Sequence, residues 1–219
     1  MFDFDGVIAN SEPLHFLGFR DVLAEKGIAL TEPDYYAQYL GFDDVGAFEA
    51  IGKRYGAEWT VDQVVDLVER KAVRLERLER DVSVLFPGAA AAVRRAAAVM
   101  PIAIASGARG GEIRRVLIRE QLLDCFTAIV AAEDTVVSKP APDPYLRAVS
   151  LLGAVCDQLR PADCVAIEDS HWGLESARAA GLRTIAVTNT YGADDLTADL
   201  TIPSLRDLDL DVLARVFSE

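Results

Sequence analysis

The sequence predicts an α/β fold: a doubly wound parallel sheet with an α-helical domain inserted after the first strand. Two patterns along the chain predict it. From residue 83 onward, short apolar runs alternate with helical stretches of about 10–15 residues, which is typical of βαβ units whose sheet is buried on both faces. From residue 13 to residue 82 the pattern is helical, and no strand-like run interrupts it. The 219 residues suffice for one core and a small additional domain.

The inserted helical domain is predicted to span residues 13–82. Its first helix lies in PLHFLGFRDVLAEKG, has apolar residues at spacings of three and four, and stops at Gly27. The residues on its apolar side are Phe16, Phe19, Val22 and Leu23. Two more amphipathic helices lie in DDVGAFEAIGKRYG and TVDQVVDLVERKAVRLERLER, where Thr60 and Gln63 form a capping-box pattern.

The remaining residues, 1–12 and 83–219, are predicted to form the α/β core. Its later strands are expected in PIAIAS, FTAIVAAED, DCVAIEDS, LRTIAVTN and ADLTIPS. The expected helices cover residues 88–99, about 110–122, a stretch from Pro144 with Asp143 as its N-cap, about 171–180, and 205–217.

The first strand of the core is unusually short. Only Met1 and Phe2 precede Asp3, whereas a buried central strand has about five or six residues. We therefore expect either a shortened central strand or a natural protein that begins a few apolar residues upstream of Met1.

Composition narrows the class of partner. The net charge of -13 and the pI of about 4.6 argue against nucleic acid and anionic membranes as general partners. No apolar run reaches the roughly 18–20 residues of a membrane span, and the acidic N-terminus lacks the layout of a signal peptide. The three cysteines have no CxxC spacing and are read as reduced thiols. A soluble cytoplasmic protein is expected, either a monomer or a weak homo-oligomer.

Polar residues follow the predicted strands at the points where these strands end. Parallel strands in open α/β sheets carry ligand sites at their carboxyl ends. The residues at these ends are Asp3, Asp5, Ser106 with Gly107, Lys139, Glu168 and Asp169. Each of these residues alone has an ordinary explanation: a serine in a turn, a solvated lysine or an acidic helix cap. Turns do not readily explain the whole set in this order.

This set of residues matches the requirements of phosphoryl transfer, which needs a nucleophile, a cation and donors for the phosphoryl oxygens. Asp3, Glu168 and Asp169 offer the hard oxygen ligands that Mg²⁺ prefers. Asp5 is placed to protonate the leaving alkoxide and later to activate water. Gly6 permits the sharp turn that brings the first two acids to one point.

Donors for the phosphoryl oxygens are expected on the neighbouring strand ends. Ser106 and the backbone amides after it, beginning at Gly107, can hydrogen-bond these oxygens. Lys139 offsets the local excess of carboxylates. Gly6 and Gly107 are therefore also candidate substrate-binding positions.

Four segments, DFDGVIANS, ASG, SKPAPDPYL and IEDSHWGLESARAAG, resemble the four motifs of the haloacid dehalogenase (HAD) superfamily. The resemblance covers essentially the whole chain and is to subclass I, in which a helical cap interrupts a Rossmann-like core after the first motif. It implies Asp3 as nucleophile and Asp5 as general acid and base. Implied phosphate ligands are Ser106 and Lys139, and implied Mg²⁺ ligands are Asp3, Glu168, Asp169 and the backbone carbonyl of Asp5. Dehalogenases of the superfamily share the aspartate nucleophile, but the second acid and the metal-binding acids favour phosphoryl chemistry.

Within this superfamily the chain is most similar to the β-phosphoglucomutase-like and sugar-phosphatase branch. Ser11 and His15 match positions at the hinge and at the start of the cap, although His15 could equally be an ordinary cap-helix histidine. Lys71 falls where the mutases have a substrate-gripping cap lysine, or it is surface charge. Arg109 matches a basic residue that contacts the second phosphate of the mutases.

One stretch departs from the mutase pattern. Where the mutases carry a cap arginine after an LxG stretch, this chain has LGFDDVGAF, with Asp43 and Asp44. Two carboxylates there would repel a second phosphate. The roles of His171 and Trp172 stay open; Trp172 could line an entrance or pack inside.

The leading hypothesis is a Mg²⁺-dependent phosphatase that acts on a small phosphorylated metabolite, such as a sugar or polyol phosphate, through an aspartyl-phosphate. The alternative is a β-phosphoglucomutase-like phosphomutase with the same core chemistry. A receiver-like signalling domain also clusters acids with a lysine, but the helical insertion and Asp5 argue against it.

Overall fold

The computed structural model describes residues 1–40, 42–80 and 83–218 and divides into two compact units. The core unit combines Met1–Asn10 with Val84–Glu219, and the helical unit is Ser11–Ser83. The sequence placed the boundaries at residues 12/13 and 82/83, and residue 82 lies outside the described part of the chain. Among the described residues, no helix combines the length and the apolar character that crossing a membrane requires.

The described part of the helical unit contains four α-helices, three of which begin at a residue whose side chain caps the helix. They are α1 (Glu12–Ala24), α2 (Glu32–Gln38), α3 (Asp44–Tyr55) and α4 (Val61–Glu79). The capping box at the start of α4 is confirmed, since Thr60 Oγ1 accepts from Gln63 N and Gln63 Oε1 accepts from Thr60 N. Helix α2 is short and was not separately predicted, although Thr31 caps it and a proline occupies its first turn.

The core of the helical unit is built from the apolar faces of these helices. All four residues predicted on the apolar side of α1 are buried. The ring of Phe19 lies 4.8 Å from that of Phe48 and 5.6 Å from that of Tyr35, measured between centroids. Aromatic contacts of this kind add to the free energy gained from burial alone.

The sheet of the core unit is parallel throughout its described ladders. Its strands are β1 (Ala103–Ala105), β2 (Ala128–Val130), β3 (Val165–Glu168), β4 (Arg183–Val187) and β5 (Leu200–Ile202). Strand β1 pairs with β2, and β4 lies between β3 and β5. Each of the five predicted apolar runs contains one of these strands, so the predicted α/β class is confirmed.

The N-terminal segment lies at the centre of this sheet. Phe2 forms parallel bridges to Ile104 of β1 on one side and to Ile167 of β3 on the other. The Met1 ammonium donates to the Val165 carbonyl oxygen at 2.7 Å. Strands β1 and β2 therefore lie on one side of Phe2, and β3, β4 and β5 lie on the other. A doubly wound sheet forms its ligand-binding crevice at such a change in strand order.

The described part of the core unit contains five α-helices: α5 (Ala89–Ala97), α6 (Gly110–Arg119), α7 (Asp143–Leu152), α8 (His171–Ala179) and α9 (Leu210–Arg215). Helices α7 and α8 pack directly on the strands. Helix α7 packs on the sheet through Tyr145, Ala148 and Leu152. Asp143 is the first residue of α7 and not its N-cap as predicted, because Pro142 already holds the αR conformation of the cap position.

The final helix is much shorter than the predicted range of 205–217. Leu205–Asp207 form a 3-10 turn, and the chain then becomes extended at Leu208, which buries its side chain. Asp209 begins α9 by accepting a hydrogen bond from Val212 N at 2.8 Å. Burial of Leu208 and the Asp209 cap together divide the expected helix in two.

Candidate active site

Most of the sequence-predicted site residues lie at one edge of the sheet. They follow the N-terminal segment and the two strands beside it, β1 and β3. Asp3 follows Phe2, Ser106 follows β1, and Glu168 ends β3 directly before Asp169. Because Phe2 is in register with both neighbouring strands, the residues after it and after these strands point to the same crevice.

A tight turn after the central segment shapes the site from residue 3 to residue 9. Asp3 Oδ1 accepts from the backbone N–H of Phe4 at 2.6 Å, and Gly6 N donates to Ala9 O at 2.9 Å. Gly6 has a φ of 75°, which favours glycine, and a Cβ there would lie 1.9 Å from Asp169 Oδ2. Asp5 is half-buried at the start of this turn.

Asp3, Glu168 and Asp169 form an acidic cluster whose candidate ligand atoms lie within 4.8 Å of one another. Burial and, to a smaller extent, the negative charge of Asp3 raise the pKa of the Glu168 carboxyl to about 7. Burial and, to a smaller extent, the negative charges of Glu168 and Asp3 also raise the pKa of Asp169 well above its ordinary value. The cluster is thus short of positive charge.

Lys139 supplies a cation to this cluster. Its Nζ lies 3.1 Å from Asp3 Oδ2 and 2.6 Å from Glu168 Oε1. Burial acts to lower the pKa of the ammonium, but the charges of Asp3 and Glu168 and the hydrogen bonds to them outweigh it and raise that pKa. Lys139 therefore stays protonated.

The donor set of the cluster fits a divalent metal ion. All three carboxylates offer hard oxygen atoms, the kind of ligand that Mg²⁺ and Ca²⁺ take. Lys139 pairs with two of the three acids, Asp3 and Glu168, so a dication would balance the negative charge that this lysine leaves uncompensated.

Among the described residues, three that sequence reasoning missed contact the site. Tyr145 O–H donates to Glu168 Oε1 at 2.7 Å, Thr190 Oγ1 donates to Asp169 Oδ2, and Asn189 Nδ2 donates to Gly6 O at 2.8 Å. Asn189 and Thr190 follow β4 at its carboxyl end, so the rule that located the acids also applies to them. Tyr145 occupies an apolar-face position of α7, where periodicity indicates only a core residue.

The candidate phosphate-binding residues after β1 lie in the turn before α6. Ser106 is buried, and its Oγ accepts from Ala108 N at 3.1 Å. Gly107 is exposed, and a Cβ there would meet nothing within 4 Å. Arg109 is exposed at the N-cap position of α6.

The candidate residues of the cap belong to the helical unit. Lys71 is fully buried, so its interpretation as surface charge is wrong. Its Nζ lies 2.7 Å from His15 Nδ1, 2.7 Å from Asp44 Oδ1 and 4.8 Å from the ring centroid of Phe19. Ser11 is buried at the N-cap position of α1.

The two acids expected to repel a second phosphate each have a local partner. Asp43 Oδ1 accepts from Gly46 N at 2.7 Å and caps α3. Asp44 is paired with Lys71. The negative charge of Asp44 is thus compensated within the helical unit, and so is the positive charge of Lys71.

The two residues left open after the third strand lie at the start of α8. The ring of His171 lies 4.9 Å from that of Tyr191, measured between centroids. Trp172 is 44% exposed, which argues against the alternative that it packs inside.

Comparison of the sequence with known proteins identifies the family of this chain. The family model of haloacid dehalogenase-like hydrolases matches residues 1–187. Protein CbbY of Rhodobacter capsulatus is 33% identical over 94% of this chain and 92% of its own length. Hexitol phosphatase B of Escherichia coli (strain K12) is 30% identical over 95% and 92% of the two chains. β-Phosphoglucomutase of Bacillus subtilis (strain 168) is 29% identical over 97% and 92%. The chain therefore belongs to the haloacid dehalogenase-like hydrolases.

Proposed function

We propose that the protein is a Mg²⁺-dependent phosphatase that hydrolyses a small phosphorylated metabolite, a sugar or polyol phosphate, through a phosphorylated Asp3. One observation carries the proposal: the Asp3 carboxylate lies in a buried acidic cluster and is paired with Lys139 at 3.1 Å. An oriented carboxylate beside a cation suits nucleophilic attack on a phosphate. The similarity to a hexitol phosphatase supports the substrate class.

Asp3 acts as the nucleophile in this proposal. The Phe4 amide holds Oδ1 and Lys139 holds Oδ2, so the carboxylate is fixed before substrate arrives. A bond forms between an Asp3 oxygen and phosphorus while the bond from phosphorus to the leaving oxygen breaks. Asp5 gives its proton to that oxygen. Asp5 then takes a proton from water, which attacks the phosphorus and releases phosphate and the free Asp3 carboxylate.

Mg²⁺ would be held by the side chains of Asp3, Glu168 and Asp169, with the backbone carbonyl of Asp5 as a further ligand. When bound, it supplies positive charge that allows a carboxylate and a phosphate dianion to approach each other. Ser106 and the amides from Gly107 onward donate to the phosphoryl oxygens, and Gly6 keeps the turn close to the bound group. Lys139 neutralises charge on the same side.

A phosphomutase is the second candidate, because a β-phosphoglucomutase is among the relatives. A mutase must retain a bisphosphate intermediate, which needs a strong cationic grip on the distal phosphate. Lys71, the expected cap cation, is engaged by Asp44 and His15. This favours water as the acceptor. A receiver-like signalling domain is not supported, because the chain belongs to a hydrolase family.

The proposal is tested by phosphate release from a panel of sugar phosphates, polyol phosphates, nucleotides and phosphoglycolate, with Mg²⁺ and with EDTA. We expect Mg²⁺-dependent release from a sugar or polyol monophosphate and its loss in Asp3→Asn, by about a thousandfold or more. Asp163→Asn, which alters an exposed ion pair with Arg160, is the matched control and should retain activity. Asp3→Asn activity within about tenfold of wild type would refute the nucleophile.

A second arm of the experiment separates phosphatase from mutase. β-Glucose 1-phosphate is supplied with and without glucose 1,6-bisphosphate. We expect no stimulation by the bisphosphate. Glucose 6-phosphate that forms faster than free phosphate would establish the mutase instead.

A further inference from the structure

Helix α7 directs the buried hydroxyl of Tyr145 at the acidic cluster. Tyr145 lies on α7, is fully buried, and donates to Glu168 Oε1 at 2.7 Å. The same oxygen accepts from Lys139 Nζ at 2.6 Å. Two donors from different segments therefore hold a single carboxylate oxygen in place.

The other oxygen of Glu168 has weaker neighbours. Oε2 lies 3.3 Å from Asp169 N and 3.4 Å from Ser170 Oγ, distances at the long end for hydrogen bonds. A Cβ at Gly173 would lie 2.0 Å from Glu168 Cδ, so helix α8 closes the remaining side. The Glu168 carboxylate thus has a fixed orientation, with Oε1 anchored and Oε2 less engaged.

Asp169 is held in a comparable way from the other side of the cluster. Thr190, just beyond β4, donates its hydroxyl to Asp169 Oδ2. Tyr145 and Thr190 come from separate elements, and each donates to one of the two acids that end β3. Neither residue is among those proposed above to touch metal or substrate.

The hydroxyls of Tyr145 and Thr190 carry no charge, unlike the ammonium of Lys139. Carboxylates crowded together repel each other and turn apart unless something holds them. An arginine or lysine would hold them but would also compete with a metal ion for the same charge. A hydroxyl fixes the orientation and leaves the negative charge in place. Outer hydrogen-bond partners of this kind change metal affinity by about 10–100-fold.

We infer that Tyr145 and Thr190 are positioning residues that orient the carboxylates of Glu168 and Asp169 for binding a divalent cation. The inference rests on the proposed function, because it concerns the same metal site. In this role the two hydroxyls strengthen the binding of the metal ion and take no part in the chemical step. Removal of either hydroxyl should weaken Mg²⁺ binding and leave the rate at saturating Mg²⁺ nearly unchanged.

The test is isothermal titration of Mg²⁺ into the full chain without substrate, for wild type, Tyr145→Phe and Thr190→Val. Each variant should raise the Mg²⁺ Kd by about tenfold or more. Tyr145→Phe keeps the ring that packs 5.1 Å from Lys139 Nζ, and Thr190→Val keeps the side-chain shape. Thr190→Ser restores a hydroxyl and should restore affinity.

Thr184→Val is the matched control. Thr184 is buried at the opposite end of β4 from Thr190, and its hydroxyl donates to Asp199 Oδ2 at 2.8 Å. This variant should lower the Tm but leave the Mg²⁺ Kd unchanged, because its carboxylate partner lies outside the acidic cluster.

The possible outcomes separate the inference from the proposed function. A Mg²⁺ Kd that stays within about twofold of wild type in both folded variants overturns the inference, and so does an equal loss of affinity in Thr184→Val. Should Tyr145→Phe fail to fold, Thr190→Val and Thr190→Ser decide the matter. Absence of Mg²⁺ binding in the wild type refutes the metal site of the proposed function, which is a different failure.

Discussion

Lys139 and Asp3 form an ion pair in the core unit, with 3.1 Å between Nζ and Oδ2. The same ammonium lies 2.6 Å from the fully buried Glu168. A single lysine therefore compensates the carboxylate at the end of the N-terminal segment and the carboxylate at the end of β3. We therefore expect the stability of the metal-free site and the approach of the proposed phosphate substrate to depend on this cation.

Lys139→Met should lower kcat by about a hundredfold or more, because it removes the cation beside Asp3, the proposed nucleophile. It should also lower the Tm of the metal-free protein, since breaking a buried ion pair leaves a charge uncompensated. Mg²⁺ should restore part of the lost Tm by replacing the missing charge. Lys53→Met, at an exposed lysine of α3, is the control, and equal effects of the two variants would contradict the account.

Gly173→Ala should impair Mg²⁺ binding and activity, because a Cβ at this position would lie 2.0 Å from Glu168 Cδ and displace the carboxylate. The KM for Mg²⁺ is the quantity to measure. Gly111→Ala, also at a helical glycine, places its Cβ where nothing lies within 4 Å and should be neutral or stabilising. An unchanged KM for Mg²⁺ in Gly173→Ala would show that Glu168 need not hold its position.

The stabilisation conferred by Mg²⁺ should grow with pH. Burial and the charge of Asp3 raise the Glu168 pKa from 4.5 to about 7. In the metal-free protein, the contribution of this group to the free energy of unfolding is full below pH 4.5 and is lost as the pH rises through about 7. Mg²⁺ needs the ionised carboxylate, so binding competes with the proton below that range.

The measurement for this linkage is the increase in Tm on adding Mg²⁺, taken between about pH 5 and pH 8. The increase should be small at the acid end and large at the alkaline end. An increase that is the same at both ends would mean that no group of the metal site titrates in this window.

Lys71→Met should destabilise the protein by about 3 kcal/mol, because it leaves Asp44 without its buried partner. Asp44→Asn should also destabilise, and the double variant should cost less than the sum of the two, as contacting residues do in such cycles. Urea unfolding measures all three. For comparison, Arg20→Met at the exposed Arg20–Asp21 pair should cost less than about 1 kcal/mol. Additive costs for Lys71 and Asp44 would show that the pair is not energetically coupled.

Much of the candidate site could be predicted from the sequence, because one simple rule brings its residues together. Residues that follow parallel strands meet at one edge, so Asp3, Glu168 and Asp169 could be expected together, and Lys139 joins them in the structure. The same rule applies to Thr190, which follows β4 at its carboxyl end and donates to Asp169.

Other features depend on long-range pairing that no local pattern encodes. Lys71 looks like one of many charges on an amphipathic helix, and only the fold brings it to Asp44, 27 residues away in sequence. Tyr145 has the spacing of a core residue, and its hydroxyl matters because α7 packs beside the end of β3. The final helix was overextended because helical periodicity continues across Leu208, where burial and the Asp209 cap end the first turn.

The central claim, a phosphorylated Asp3, is tested most directly by trapping the intermediate. In Asp5→Asn with p-nitrophenyl phosphate and Mg²⁺, the aryl leaving group needs no proton, whereas the attack of water has lost its base. Acid quenching, borohydride reduction and peptide mapping then report the phosphorylated side chain, because borohydride converts an aspartyl-phosphate into homoserine. We predict homoserine at position 3, with p-nitrophenol released ahead of phosphate. Simultaneous release of p-nitrophenol and phosphate, with an unmodified Asp3, would contradict the account.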